Sequence, residues 1–310
     1  MSDTTRRRFL HVAGLAGAAA VCGLPSRAAW TARGAARRSL RVVFYTDVHA
    51  RTEWETPRAL AQAAAAINRE CPDLVIAGGD LITDGFQSAA ETVEPRWDAY
   101  LTMHRAIDAP VEAAIGNHDL VAARPEDGTE PSSDPRQIFR TKLGVERTWR
   151  MVNADGYRLF LLDAVAVSND ELKYHGRVAQ EQLDWLRTEL DRTDADTPVV
   201  LVTHLPLLTT FYQATEGASA VPPANRVIVN NRDVLELFTD HNLLLVLQGH
   251  LHVDELIRRH DTTFITGGAV CGKWWRGSWH GTPEGFGVVT LRPDRVEWEY
   301  RTTGWEAKRP

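Results

Sequence analysis

Short apolar runs alternate with amphipathic segments along most of the chain. The runs that begin at Leu40, Asp73 and Pro110 are rich in aliphatic and β-branched residues, which predicts buried strands. Between them lie segments with helical spacing, and the first opens with Thr56 and Pro57, a cap residue followed by the residue that suits a first helical turn. Strand, helix, strand, helix, strand is the pattern of a parallel α/β sheet.

The same alternation continues towards the C-terminus and then changes. Further strands are predicted at 157–162, 198–202 and 243–247, and further helices at 96–107, 178–190 and 231–239. Two polar stretches rich in turn-forming residues predict loops at 121–135 and 213–226, the second near the functional site. Four short alternating segments then predict an antiparallel meander, at 255–259, 262–266, 287–291 and 295–300.

Five of the apolar runs are followed directly by polar residues. Because ligands bind at the carboxyl ends of strands in open α/β sheets, we expect these side chains to meet. They are Asp47, His49, Asp80, Asn117, His118, His204, His250 and His252. Singly, such an aspartate is usually a turn residue and such a histidine a structural one, so the prediction rests on their joint occurrence.

The chemistry of this set predicts a metal centre. Imidazole, carboxylate and amide groups without a thiolate suit Mn, Fe, Zn or Co, and the imidazoles are too many for a calcium site. Seven ligands exceed what one ion needs. The set therefore predicts two metal ions that share a bridging carboxylate.

Composition narrows the choice of partners. The chain has 310 residues, of which 44% are hydrophobic and 25% charged, as in an ordinary globular protein. Its formal net charge of −6 argues against broad binding to nucleic acid or to anionic membranes. We expect one domain over residues 40–305, with no stable membrane span.

The N-terminus predicts export. Residues 5–10 read Thr-Arg-Arg-Arg-Phe-Leu, a twin-arginine pattern, and a short apolar run and small residues at a possible cleavage point follow. The run is too short to cross a bilayer, so we interpret residues 1–29 as a removed Tat signal peptide and 30–39 as a flexible lead-in. The Tat translocase would be a partner during export, and the location would be periplasmic or extracellular. In such a compartment Cys71 and Cys271 can pair, but two buried free thiols fit equally well.

The strand-end motifs, in their order along the chain, resemble those of the calcineurin-like metallophosphoesterases. The resemblance covers about residues 40–255 and is closest to bacterial members similar to class III cyclic-nucleotide phosphodiesterases. It implies an α/β, four-layer αββα sandwich of two mixed sheets flanked by helices. It also implies that one metal is held by Asp47, His49, Asp80 and His252. The other is implied to be held by Asp80, Asn117, His204 and His250, with Asp80 bridging.

The resemblance also implies a reaction. We expect hydrolysis of a small-molecule phosphodiester by metal-activated hydroxide, with two divalent or trivalent ions of unspecified identity. His118 would stabilise transition-state charge or protonate the leaving group, and Asp119 would hold its tautomer. A phosphomonoesterase of the same fold is the alternative. The acidic charge disfavours a nuclease, and the intact ligand set disfavours a non-catalytic binding module.

One tryptophan-rich segment has no place in the metal centre. Residues 273–280 include Trp274, Trp275 and Trp279 in a glycine-containing stretch that we expect to form a loop, where three tryptophans are costly to expose. Trp274 and Trp275 are candidates for a wall against which substrate packs. The alternative, slightly favoured, is a small satellite core beneath the predicted meander.

Overall fold

The fold was analysed in a computed structural model that describes residues 39–292 and 294–308. The predicted signal peptide, and all of the predicted lead-in except its last residue, lie outside the described residues. Among the described helices, none has the length and apolar character needed to span a membrane.

The first of two large mixed sheets contains the N-terminal strands. Its five strands run in the order β13 (Arg295–Thr302), β12 (Gly285–Arg292), β1 (Leu40–Tyr45), β2 (Leu74–Ala77) and β3 (Val111–Ala113). Strands β1, β2 and β3 are parallel, whereas β12 is antiparallel to both of its neighbours. The three parallel strands therefore end at one edge of the sheet.

The second sheet contains the later strands of the alternating pattern. Its six strands run in the order β10 (Glu255–Arg259), β11 (Thr262–Thr266), β9 (Leu243–Gln248), β8 (Val199–Val202), β5 (Tyr157–Leu161) and β4 (Arg150–Ala154). Strands β5, β8, β9 and β11 are parallel. A separate two-stranded hairpin is formed by β6 (Val165–Val167) and β7 (Tyr174–Gly176).

Helices connect the strands. They are α1 (Thr56–Arg69), α2 (Ala90–Arg105), α3 (Gln137–Leu143), α4 (Gln180–Asp191), α5 (Phe211–Glu216) and α6 (Asn231–Glu236). A 3-10 turn spans Asn117–Asp119, and three residues separate it from the end of β3. This turn places three of the predicted site residues at the sheet edge.

Alternation along the strands makes the centre of the sandwich. In β1, Val42 and Phe44 join a buried cluster that also contains Leu159 of β5 and Leu245 of β9. Side chains two apart point to the same face of a strand, so this cluster lies between the two sheets.

The opposite strand faces pack against helices. Tyr45 of β1 reaches Tyr100 of α2, with 3.1 Å between the hydroxyl oxygens. On the second sheet, the Phe160 ring lies 6.0 Å from the Trp185 ring of α4, centroid to centroid. Helix, sheet, sheet and helix form four layers, which confirms the predicted α/β architecture.

Two sequence expectations were wrong, and the structure answers one question that the sequence left open. The four C-terminal segments do not form one meander, because β11 pairs with β9 while β12 pairs with β1, so the two hairpins belong to different sheets. The predicted loop at 213–226 begins inside α5. Cys271 is a free, buried thiol, so it does not pair with Cys71.

Candidate metal centre

The strand-end residues converge where the two sheets meet. The backbone N–H of Asp47 donates to the carbonyl of Gly79 at 3.0 Å, which joins the loops after β1 and β2. In the second sheet, the N–H of Gly249 donates to the carbonyl of His204 at 2.8 Å and joins the loops after β8 and β9. The N–H of His250 donates to Oδ2 of Asp47 at 2.9 Å and connects the two sheets.

Asp47, His49 and His252 form one group of facing ligand atoms. Asp47 Oδ1 lies 3.2 Å from Nε2 of His252 and 3.8 Å from Nε2 of His49. The two imidazole Nε2 atoms are 3.2 Å apart. All three side chains are buried, so one small volume holds a carboxylate and two imidazoles with little water.

Asp80, His204 and His250 form a second group. Asp80 Oδ2 lies 3.1 Å from Nε2 of His204, which is itself 3.2 Å from Nδ1 of His250. The same Asp80 oxygen lies 3.6 Å from Nε2 of His49, in the first group. Asp80 therefore faces both groups with one oxygen.

Two histidines are oriented by backbone carbonyls. His204 directs Nδ1 to the carbonyl of Gly78 at 2.9 Å, and His252 directs Nδ1 to the carbonyl of Gly272 at 2.6 Å. An Nδ1–H that donates to a carbonyl leaves the Nε2 lone pair directed into the site. Both rings thus present a metal-binding nitrogen.

Five of the seven predicted ligands have left-handed backbone. Their φ angles lie between 44° and 72°, a region that non-glycine residues rarely adopt. They are Asp47, His49, Asp80, His250 and His252. Such strain persists only where the surrounding structure imposes it, and it is concentrated at functional sites.

Two glycines allow the loops to approach one another. A Cβ at Gly116 would lie 2.2 Å from both the backbone N and Oδ1 of Asp80. A Cβ at Gly79, whose φ is +95°, would lie 2.9 Å from Nδ1 of His204. Larger residues at these positions would displace Asp80 or His204.

Opposite charges hold the carboxylates ionised. Burial favours the protonated form of Asp47, but the His252 and His204 imidazoles outweigh it and hold the pKa of Asp47 well below its usual value. The pKa of Asp80 is lowered in the same way, against burial, chiefly by His204. Burial acts against protonation of His204, but Asp80 and Asp47 raise its pKa to about 9.

The residues fit a metal pair. Oδ1 of Asp47 and Oδ1 of Asn117 are buried and have no hydrogen-bond partner among the described residues, although buried oxygens normally have one. A cation would satisfy both atoms. One ion would be held by Asp47, His49, Asp80 and His252, and a second by Asp80, Asn117, His204 and His250.

Asp119 was predicted to hold the tautomer of His118, but its carboxylate bonds other groups. Its carboxylate accepts hydrogen bonds from the backbone N–H groups of Leu81 at 2.8 Å and Gly116 at 2.8 Å, so it fixes the turn instead. Burial, and then the Asp80 charge, raise the pKa of Asp119 to about 8. Its position immediately after His118 in sequence was misleading, because both carboxylate oxygens bond backbone N–H groups.

Asp84 is the residue next to His118 that sequence reasoning missed. The backbone N–H of Asp84 donates to Nδ1 of His118 at 3.0 Å, and the Asp84 carboxylate lies 3.9 Å from the same nitrogen. The backbone N–H of His118 in turn donates to Oδ1 of Asp80 at 2.8 Å. Asp84 lies four residues after Asp80 in the sequence, but nothing in that spacing indicates that it is a partner of His118.

The two candidate wall tryptophans have different environments. Trp275 is only 2% exposed and its indole N–H donates to the carbonyl of His49 at 3.1 Å, so it supports the site from the core and does not form an accessible wall. Trp274 is 36% exposed. Its ring centroid lies 3.9 Å from that of His49 and 5.1 Å from that of His118. Only Trp274 keeps the predicted position beside the site.

Arg226 is a second residue that the sequence did not reveal. Its Nη1 lies 3.4 Å from Nε2 of His250. The loop prediction placed residues 213–226 near the site, but an arginine in a loop carries no motif that would single it out.

Solved structures resemble the fold over most of the chain. A dimetal phosphatase from Danio rerio aligns with a TM-score of 0.62 and 17% identity, over 85% of this chain and 96% of that one. GAP50, described as the anchor in the inner membrane complex of Plasmodium, aligns with a TM-score of 0.52 and 15% identity, over 86% and 85% of the two chains. At these identities the likeness concerns the fold alone, and the fold hosts different functions.

Sequence comparison finds similarity to a curated protein and to a family model. A Rhodococcus erythropolis protein described as "Probable cyclic nucleotide phosphodiesterase" is 29% identical over an alignment of 193 residues. The match covers 58% of this chain and 52%, about half, of that relative. The family model of the calcineurin-like phosphoesterases matches residues 40–254, which include every residue of the metal centre. The chain therefore belongs to the calcineurin-like phosphoesterase family.

Proposed function

We propose that the chain is a metal-dependent phosphoesterase with two metal ions that share Asp80. The observation that carries the proposal is the position of Asp80 Oδ2, 3.6 Å from Nε2 of His49 and 3.1 Å from Nε2 of His204. A buried carboxylate that faces two imidazole groups can ligate an ion in each. When bound, two such cations lower the pKa of water and neutralise charge on the phosphoryl oxygens.

His118 acts as a hydrogen-bond donor in this proposal. Because Nδ1 accepts the N–H of Asp84, the proton of the neutral ring resides on Nε2. Burial lowers the pKa of His118, which favours the neutral ring. A neutral ring is a poor acid, so donation to a phosphoryl or leaving oxygen is better supported than proton transfer.

Phosphodiesters are the favoured substrate class. The support is the description of the Rhodococcus erythropolis relative, whose match covers about half of its length. A phosphomonoesterase is the second candidate, because Arg226 places a permanent positive charge beside His250 that a dianionic phosphate would satisfy.

We also propose that the protein is exported by the Tat pathway to the periplasm or the exterior. The support is the twin-arginine pattern at residues 5–10 and the short apolar run that follows. Tat translocation of a folded protein is consistent with metal loading before export.

Hydrolysis of aryl esters tests the proposed activity. We expect the purified protein to hydrolyse bis(p-nitrophenyl) phosphate faster than p-nitrophenyl phosphate, to lose activity on dialysis against a chelator, and to regain it with Mn²⁺ or Zn²⁺. Release of p-nitrophenolate is followed by absorbance. Hydrolysis that survives removal of all metal, or no hydrolysis of either ester by fully metallated protein, would contradict the proposal.

Two substitutions of His118 separate donation from proton transfer. His118→Asn keeps an acceptor for the Asp84 N–H but removes the donor at the Nε2 position, and we expect kcat to fall about 10²- to 10³-fold. His118→Gln places an amide N–H near the Nε2 position and should lose less than about tenfold, since an amide can donate but cannot act as an acid. Metal content should be unchanged in both.

His260→Asn is the matched control, because His260 is exposed in the turn between β10 and β11. Equal losses in the Asn and Gln variants of His118 would favour proton transfer, and full activity in both would remove His118 from the reaction.

Trp274 and Trp275 should give opposite results when truncated. Trp274→Ala removes a partly exposed ring beside His49, so we expect altered relative kcat/KM values among aryl and alkyl esters and a change in unfolding free energy within about 0.5 kcal/mol. Trp275→Ala removes a buried ring and should cost about 3–5 kcal/mol. Urea unfolding and a substrate panel measure the two effects. Unchanged substrate preference in Trp274→Ala would exclude the wall.

A further inference from the structure

A second polar group lies beside His250. The Arg226 guanidinium is solvent-exposed, and within residues 39–292 and 294–308 no carboxylate forms an ion pair with it. In that part of the chain, Nη1 of Arg226 contacts Nε2 of His250 at 3.4 Å. A guanidinium keeps its charge at every physiological pH, so this charge has no compensating anion in the described protein.

Two buried tyrosines accompany the arginine. Tyr174 and Tyr212 are 8% and 7% exposed, and neither hydroxyl has a hydrogen-bond partner among the described residues. The ring centroid of Tyr174 lies 6.5 Å from that of His250, the residue that Arg226 contacts. Burial raises the pKa of both phenols, and the Arg226 charge acts in the opposite direction on each. Both side chains remain neutral O–H donors at pH 7.

Three separate elements hold these side chains near His250. Tyr174 belongs to β7, and the backbone of β7 is tied to the Arg226 loop because the N–H of Gly176 donates to the carbonyl of Ala224 at 2.8 Å. Tyr212 belongs to α5 and packs against Leu251, the residue that follows His250. The grouping is therefore fixed by backbone pairing and by apolar packing, not by contacts among the polar groups.

The two ring nitrogens of His250 face different partners. Nδ1 is directed at Nε2 of His204, inside the ligand group, and Nε2 is directed at Arg226. If Nδ1 uses its lone pair to hold a metal, the ring proton must be on Nε2. An N–H of His250 then faces an N–H of Arg226, and neither can accept from the other. An anionic acceptor beside both groups would satisfy them.

We propose that Arg226, Tyr174 and Tyr212 form an anion subsite for a second negatively charged oxygen of the substrate. The subsite would lower KM for phosphoesters that carry a second negative charge, whichever class of ester the metal centre turns over faster. The second charge can be an unesterified oxygen of a phosphomonoester or a phosphate elsewhere on the group that stays with the phosphorus. This proposal rests on the proposed phosphoesterase function.

Arg226→Gln tests the subsite by substrate charge. We expect kcat/KM for p-nitrophenyl phosphate to fall roughly 10- to 100-fold, mainly through KM, because a hydrogen bond to a charged group is lost. The ratio of kcat/KM for this dianion to that for bis(p-nitrophenyl) phosphate should fall at least about tenfold. Arg232→Gln is the control, since Arg232 is exposed and paired with Glu236 on α6. An unchanged ratio would overturn the subsite.

A matched pair of diesters locates the second charge. Thymidine 5′-(p-nitrophenyl phosphate) is compared with its 3′-phosphorylated form, in wild type and in Arg226→Gln. A loss confined to the 3′-phosphorylated diester assigns the subsite to a remote phosphate, whereas a loss confined to the monoester assigns it to the scissile phosphoryl group. A loss equal for all four esters would contradict charge selection.

Binding of inorganic phosphate provides a readout that does not need turnover. Calorimetric titration of the metal-loaded protein should give an affinity at least about tenfold weaker in Arg226→Gln, and weaker also in the Tyr174→Phe/Tyr212→Phe double variant, at equal metal content. Unchanged phosphate affinity in both would overturn the subsite. If wild type hydrolyses none of the esters, the proposed function fails, and this titration still decides whether the anion subsite exists.

Discussion

The site depends on the placement of one buried carboxylate, that of Asp80. Its Oδ1 accepts a hydrogen bond from the backbone N–H of His118 at 2.8 Å, which fixes the orientation of the carboxylate. Its Oδ2 faces the imidazoles of His49 and His204. The Oδ2 oxygen alone could ligate two cations, because a carboxylate oxygen has more than one lone pair and shares a full negative charge, which an amide oxygen lacks. The charges of Asp47 and Asp80 hold four imidazoles together in this small buried volume. Both carboxylates stay ionised because His252 and His204 lower their pKa values more than burial raises them.

The fold imposes this placement at a cost in backbone energy. Asp80 has a φ of 51° and His252 a φ of 59°, conformations that cost of order 1 kcal/mol or more each in ordinary residues. The parallel strands of both sheets end at the same place, and hydrogen bonds between their loops hold these conformations. Trp275 adds support from the core through its bond to the His49 carbonyl. The packing of the sandwich thus offsets the backbone strain at the site. Trp274 and Arg226 lie at the edge of the ligand set, in loops whose residues can differ among relatives.

The hydrophobic period predicted the buried strands, and strand-end position predicted which polar side chains come together, because both are local properties of the sequence. The six buried strands of the alternating pattern are found within about two residues of their predicted bounds, as is usual for such patterns. Long-range pairing was not predictable in the same way: which sheet takes β11 is decided by its parallel register with β9, not by its own residues. Side-chain partners were also hidden. Asp119 adjoins His118 in sequence but bonds Leu81 and Gly116, whereas Asp84 and Arg226 reach the site only through the turns that carry them.

Metal stoichiometry in an Asp80 variant tests the sharing of this carboxylate most directly. Elemental analysis of the purified, metal-loaded wild type should give about two ions per chain. Asp80→Asn keeps an acceptor for the His118 N–H and tolerates left-handed backbone, but it lacks the charge needed to bridge, so we expect one ion or fewer. Asp84→Asn, also at positive φ and outside the ligand set, is the control and should retain two. Two ions per chain in Asp80→Asn, or a single ion in wild type, would contradict a centre built on Asp80.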